Sequence, residues 1–214
     1  MKLIGFTRAR LLDYTLAQIA SFFPDGADVR GQIDKHLDES LERLRKCINS
    51  VRCWEMEAFN YQHSTQYCIY LYFLSNTIWR HGGSINVCTK LFSLNKALNG
   101  IDCFYEVELP ERFFIGHSVG IVLAKATYSD YLVLYQNSTV GKNHGVAPVL
   151  EEGVVMYPNT AIIGECHVGP RTILAQGTSI INRDTQGNQI VFNTSGAQVD
   201  VRNISRDVWS DIFR

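Results

Sequence analysis

Histidines and a pair of glutamates in the middle of this chain are the side chains best placed to move a proton. His117 lies between Gly116 and Ser118, small neighbours that leave room for a substrate. A neutral imidazole, with an ordinary pKa of about 6.5, can take the proton of a hydroxyl as its oxygen attacks a carbonyl. The plain alternative is a surface histidine on a turn. Upstream, Glu106 and Glu108 alternate within Phe104–Pro110, so a strand there would set both carboxylates on one face. Either could orient an imidazole or simply be solvated. His144 sits in Gly141-Lys142-Asn143-His144-Gly145, a polar, glycine-bounded segment. His117, His144 and His167 are 27 and 23 residues apart, so no close pair exists to begin a three-histidine zinc site. None of the six cysteines forms a CxxC pair, and reduced cysteines in the cytoplasm are expected.

The elements that must position these residues fall into two halves. From Ile33 the apolar residues Leu37, Leu41, Leu44, Ile48 and Val51 step by three or four with charges between, which predicts an amphipathic helix capped by Asp25 or Asp28. A second helix is expected over Thr65–Arg80, stopped at Gly82-Gly83, and a third over Val87–Leu98, stopped at Asn99-Gly100. Beyond Cys103 the period becomes six. Leu150, Met156, Ile162, Val168, Leu174 and Ile180 are evenly spaced, and two positions before most of them sit Val154, Thr160, Cys166, Thr172 and Thr178. Val122, Tyr128, Leu134 and Val140 continue the spacing upstream more loosely. With 46% apolar residues, six successive hits have a chance of about 0.01 in a given register. Six residues suit one short strand and one turn, and three such units close a triangular coil. Gly164, Gly169, Pro158 and Pro170 fall where the turns belong. From Val140 to Leu150 is ten residues, one step plus four, so a protruding loop carrying His144 is expected.

The formal net charge of -1 argues against a nucleic-acid binder. The longest apolar run, Tyr67–Leu74, is too short to span a bilayer, and Arg8, Arg10 and Asp13 interrupt any signal-peptide core. A cytoplasmic protein is expected. The organisation read from the sequence is α+β: an α-helical region over 1–103, a β-helix over 104–193 and a C-terminal tail over 194–214.

From Tyr67 to Asn193 the chain resembles the serine acetyltransferases. The resemblance is carried in order by Tyr70–Trp79, by Phe104–Pro110 as an acid-bearing leading strand, and by Gly116-His117-Ser118-Val119-Gly120-Ile121-Val122 as the histidine motif. Ser138–Gly141, Gly153–Met156 and Ile162–Gly169 continue it. The resemblance implies a left-handed coil, against the usual right-handed crossover, and acetyl transfer from acetyl-CoA to a hydroxyl without a metal. It makes His117 the general base and Glu108 the carboxylate that orients it, with Glu106 as the reserve. It implies substrate contacts from His144, Asn143 and Gly116. It implies a CoA arm lying along the prism between subunits, past Gly141, Pro158 and Gln176, with Arg183 or Arg171 toward the 3′-phosphate. A homotrimer or a dimer of trimers is implied.

The departures from that family concern the acceptor. Gly116 stands where the family has an Asp, Asn143 where it has an Arg, and Trp54 near a second substrate Asp. Losing charged partners should weaken a zwitterion by several kcal/mol. The expected acceptor is therefore a sugar hydroxyl in surface-polysaccharide synthesis, with true serine acetylation as the alternative. Ser210–Arg214 lacks the terminal Ile tail with which the family docks cysteine synthase, so that complex is not expected. A zinc hydratase and a non-catalytic scaffold are the readings from other classes.

Overall fold

The computed structural model describes residues 1–194 and 199–214. Strand β1 (Lys2–Ile4) leads into α1 (Arg8–Phe22), whose first turn is capped by the Thr7 hydroxyl accepting the Arg10 N–H. The three-and-four pattern becomes α2 (Arg30–Ser50), with Ile33, Leu37, Leu44 and Ile48 fully buried. Its cap is not the one expected. Val29 occupies the N-cap without a side-chain bond, while Asp28 accepts the Arg30 N–H and Asp25 binds Lys90 and the Ala27 N–H. A short strand, β2 (Ala58–Asn60), then pairs in parallel with β1, a pairing the sequence did not reveal.

Helix α3 (Ser64–Arg80) is buried from Thr65 through Ile78, as an almost continuously apolar helix must be. Its polar side chains are used inward. The Tyr72 hydroxyl donates to the Val107 carbonyl and accepts the Leu109 N–H, and Asn76 donates to the Tyr105 carbonyl. Segment 104–110 is therefore held by α3. It is not the strand expected there, although Tyr105, Val107 and Leu109 still alternate inward with Glu106 and Glu108 outward. Helix α4 (Ile85–Asn99) ends on Gly100 in the left-handed conformation, at φ +66°.

The remaining strands are short and wind as a coil. They are β3 (Asp102–Cys103), β4 (Phe113–Ile115), β5 (Val122–Leu123), β6 (Thr127–Tyr128), β7 (Leu132–Leu134) and β8 (Thr139–Gly141). Next come β9 (Val149–Leu150), β10 (Val155–Met156), β11 (Ala161–Ile163), β12 (His167–Val168), β13 (Ile173–Leu174) and β14 (Ser179–Ile181). The first face stacks β4, β7, β10, β13 and β15 (Gln189–Asn193), the second β3, β5, β8, β11 and β14, and the third β6, β9 and β12. Strand β16 (Val199–Asn203) folds back antiparallel on β15. The chain then crosses to the helices through α5 (Trp209–Ile212), where Phe213 bridges Val51.

The six-residue period has a direct cause here. Leu150, Met156, Ile162, Val168, Leu174 and Ile180 are at most 1% exposed and stack down the prism axis. Burying such a side chain contributes about 1.5–3 kcal/mol. The residue two before closes the corner in three successive turns. The side chains of Thr160, Cys166 and Thr172 each donate to the carbonyl three residues back. Positive φ at Asn137, Asn159 and Gly177 turns one corner column, where a left-handed backbone is needed. In the regular coils Val155 pairs with Ile173 and Ala161 with Ser179, a step of 18 residues. Thr139 pairs with Ala161 across 22, so four extra residues leave after Gly141. Upstream the expected register shifts by one. Leu123 is the inward residue, while Val122 is 44% exposed.

Candidate functional site

His117 stands on the corner between β4 and β5. Ile115 pairs with Leu134 and Val122 with Thr139, so seven steps cross this corner where five cross it in the next coil. The two extra residues carry His117 and Val119 out into solvent. Pins hold the bulge in place. The buried Ser118 hydroxyl donates to the Asn99 carbonyl (2.7 Å), and the Gly120 N–H donates to the Gly100 carbonyl (2.9 Å). The Asn137 N–H donates to Val119 from the coil beyond. The first two carbonyls lie at the α4 C-terminus, so one helix end helps fix the corner that bears the histidine. Gly120, at φ +75°, has no room for a Cβ, which would run into Asn137 Oδ1.

No described side chain hydrogen-bonds or ion-pairs with the His117 ring. Glu108 lies 3.9 Å from Arg80 and Glu106 lies 3.1 Å from Lys125, all at the surface. The structure thus places neither glutamate in a hydrogen bond to His117. Gly116 is paired beneath Tyr135, and a Cβ on it would meet Tyr135 Cε1 at 2.5 Å.

His144 and Asn143 belong to the inserted loop. Asn143 and Val146 exchange backbone hydrogen bonds, and His144 (φ +47°) and Gly145 (φ +84°) form the exposed tip of a tight hairpin. This hairpin leaves the second face at its far corner, whereas His117 stands at the near one. Within one chain the two histidines are not brought together. The residues expected along CoA divide the same way. Pro158 and Gln176 lie on the corner column that His117 heads, with Gln136 between. Gly141 and Arg183 lie on the opposite corner, where Arg183 donates to the Val199 carbonyl.

The site has a further component that motif reading missed. Trp54, Phe114, Tyr135 and Tyr157 form an aromatic row beside His117, with ring centroids 5.7, 6.2 and 5.5 Å apart in turn. The spacing of 22 between Tyr135 and Tyr157 is one coil plus the inserted four residues, which was the only sequence signal for it. Among the described residues no group of three or more His, Cys, Asp or Glu side chains is gathered as a metal site. No described helix is long and apolar enough to cross a membrane.

Stacked six-residue turns behind a helical region define the class: a left-handed parallel β-helix of hexapeptide repeats. Within it, the chain is similar to the serine acetyltransferases, as its motifs imply. A serine acetyltransferase of Synechococcus elongatus is 27% identical over 127 residues, 55% of this chain and 50% of that relative, so the match spans about half of the relative's length. The crystal structure of the Brucella abortus serine acetyltransferase superposes with a TM-score of 0.67 at 18% identity, over 83% of this chain and 75% of that one. A serine acetyltransferase in complex with CoA gives a TM-score of 0.67 at 14% identity, over 92% and 86%. At these identities the superpositions establish a shared fold. No family model matches the chain.

Proposed function

We propose that this protein is an acetyl-CoA-dependent O-acetyltransferase in which His117 is the general base. The observation that carries the proposal is the pinned, solvent-facing corner that presents an uncommitted imidazole at the position of the family's histidine motif. The His117 ring accepts the acceptor's hydroxyl proton as the oxygen attacks the thioester carbonyl. The tetrahedral intermediate collapses, the carbon–sulfur bond breaks, and the imidazolium returns its proton to the departing CoA thiolate. The carbonyls of Asn99 and Gly100, at the end of α4, hold Ser118 and Gly120 just after His117 and so fix where the ring stands. Glu108, or Glu106 in its place, is proposed to orient the ring. Its surface ion pair is worth at most about 1 kcal/mol and can be exchanged.

The opposed corners suit an assembly in which one prism's His117 edge meets the next prism's hairpin edge. His144 and Asn143 of a neighbour would then reach the acceptor, with CoA lying between Pro158 and Gln176 on one side and Gly141 and Arg183 on the other. A homotrimer or a dimer of trimers provides this arrangement. The acceptor is proposed to be a sugar hydroxyl, because Gly116 and Asn143 supply no charge for an amino-acid zwitterion. The second reading, serine itself, is favoured by the serine acetyltransferase relative and its structural neighbours. Release of CoA thiol from acetyl-CoA with hexopyranosides or L-serine decides between them. Efficient turnover of L-serine would sink the sugar acceptor. Failure to bind acetyl-CoA by calorimetry would sink the enzyme in favour of a scaffold.

A further inference from the structure

We infer that Tyr135 and Tyr157, backed by Trp54 and Phe114, are the acceptor platform of this site and take the face of a pyranose ring by stacking. The inference rests on the acetyltransferase reading and names the part of the site that selects the acceptor. Tyr135 and Tyr157 lie nearly parallel, with centroids 5.5 Å apart and an angle of 21° between their planes, so they stand as neighbours in one row. Both are partly exposed, and neither phenol has a described hydrogen-bond partner. The surface reaches the histidine corner directly, because Tyr135 fills the space over Gly116, next to His117. Any side chain at position 116 would compete with the present Tyr135 ring for this space.

The polar features fit the same occupant. Gln136, the residue after Tyr135, has a buried Oε1 with no described partner, an unmet acceptor next to the row. The aromatic faces carry negative quadrupole density and suit the weakly positive axial C–H groups of a pyranose. A serine zwitterion finds neither a fixed cation nor a fixed anion among these groups. Burial, with Tyr157 and the Cys53 thiol nearby, raises the Tyr135 phenol pKa. Cys53 itself is exposed, while the other five cysteines are buried.

Cys53 makes the platform measurable without turnover. Maleimide labelling of the native protein, read by mass spectrometry, should report Cys53. Methyl hexopyranosides should slow labelling in proportion to occupancy, roughly ten-fold at ten times Kd, while L-serine should not. Tyr135→Leu and Tyr157→Leu should each abolish that protection and leave calorimetric binding of CoA unchanged. The CoA measurement also shows that the variants are folded. Protection by L-serine instead, or pyranoside protection that survives both substitutions, would overturn the platform. So would wild-type labelling that slows with protein concentration alone, since a second copy of the chain would then cover the row. If CoA binds but no pyranoside protects Cys53, the platform fails and the acetyltransferase reading stands. If CoA does not bind, that reading fails first.

Discussion

The coils from Val149 to Ile181 and the stretch from Asp102 to Pro148 use the same faces, yet only the first keeps its period. In the regular coils every sixth residue is buried, and three successive corners close with the side chain of Thr160, Cys166 or Thr172 on a carbonyl. In the irregular stretch each departure is held by something outside the repeat. The widened His117 corner rests on the end of α4, and segment 104–110 hangs on Tyr72 and Asn76 of α3. The inserted residues fold into their own hairpin. The comparison teaches a division of labour. Repetition supplies stability, and supported exceptions to it supply side chains free to meet a ligand.

The largest expected effect tests that division at its sharpest point. His117→Ala should lower kcat by about 10²–10⁴-fold, the range for a lost general base. Because the ring is exposed and unpaired, urea unfolding should move by no more than about 0.5 kcal/mol. A fall in both together would place His117 in the framework and break the contrast. The reciprocal change comes next. Ile162→Ala should destabilise by about 2–5 kcal/mol in the same urea experiment, since it removes a fully buried member of the axial stack. Val122→Ala, an exposed residue at a position the six-residue spacing would put inside, should cost less than about 0.5 kcal/mol. Equal costs at the two sites would mean that the register shift at β5 is not real. A smaller effect sits between the halves. Ser118→Ala removes one buried hydrogen bond, so about 1 kcal/mol should be lost, with a drop in kcat larger than that stability change accounts for. Unchanged kcat would mean that the pin does not position the histidine.

What the sequence disclosed follows the same line. The six apolar residues from Leu150 to Ile180 are legible because burial on a fixed pitch restricts residue type at every turn. The stops at Gly82 and Gly100 are legible because a left-handed backbone conformation selects glycine there. The register of β5 is not. The inward residues Leu123 and Tyr128 are five apart, one short of the period, and Val122 and Leu123 are equally apolar. Segment 104–110 reads as a strand because its burial alternates as a strand's does. Its partners are side chains of α3, which no local pattern encodes. The aromatic row is invisible for a related reason. Tyr135 and Tyr157 become neighbours only once the four-residue insertion is counted into the coil, and Trp54 reaches Phe114 from a separate region of the chain. His117 stood out by its small neighbours and motif, but its corner's dependence on Asn99 is a tertiary fact.

The smallest expected effect concerns how acid acts on the irregular half. His63 caps α3 by accepting the Gln66 N–H on Nδ1, and its ring packs edge-on against Trp54, 5.7 Å away. Burial lowers its pKa below the ordinary histidine value. The unfolded chain therefore takes up this proton near pH 6.5, and the folded chain does so only at lower pH. Between those values the unfolded state binds more protons, so stability rises with pH. The contribution is complete above about pH 6.5 and is lost as pH falls toward the folded value. Protonation also removes the Nδ1 acceptor that caps the helix. Thermal unfolding between about pH 7.5 and 5.5 should show a Tm that declines on the acid side. His63→Asn keeps a capping acceptor but does not titrate, so it should flatten the decline while leaving Tm at the upper pH nearly unchanged. His36, whose pKa burial also lowers, adds a slope of the same sign, and His36→Gln should remove the remainder. An acid decline unmoved by His63→Asn would show that the proton is taken up elsewhere.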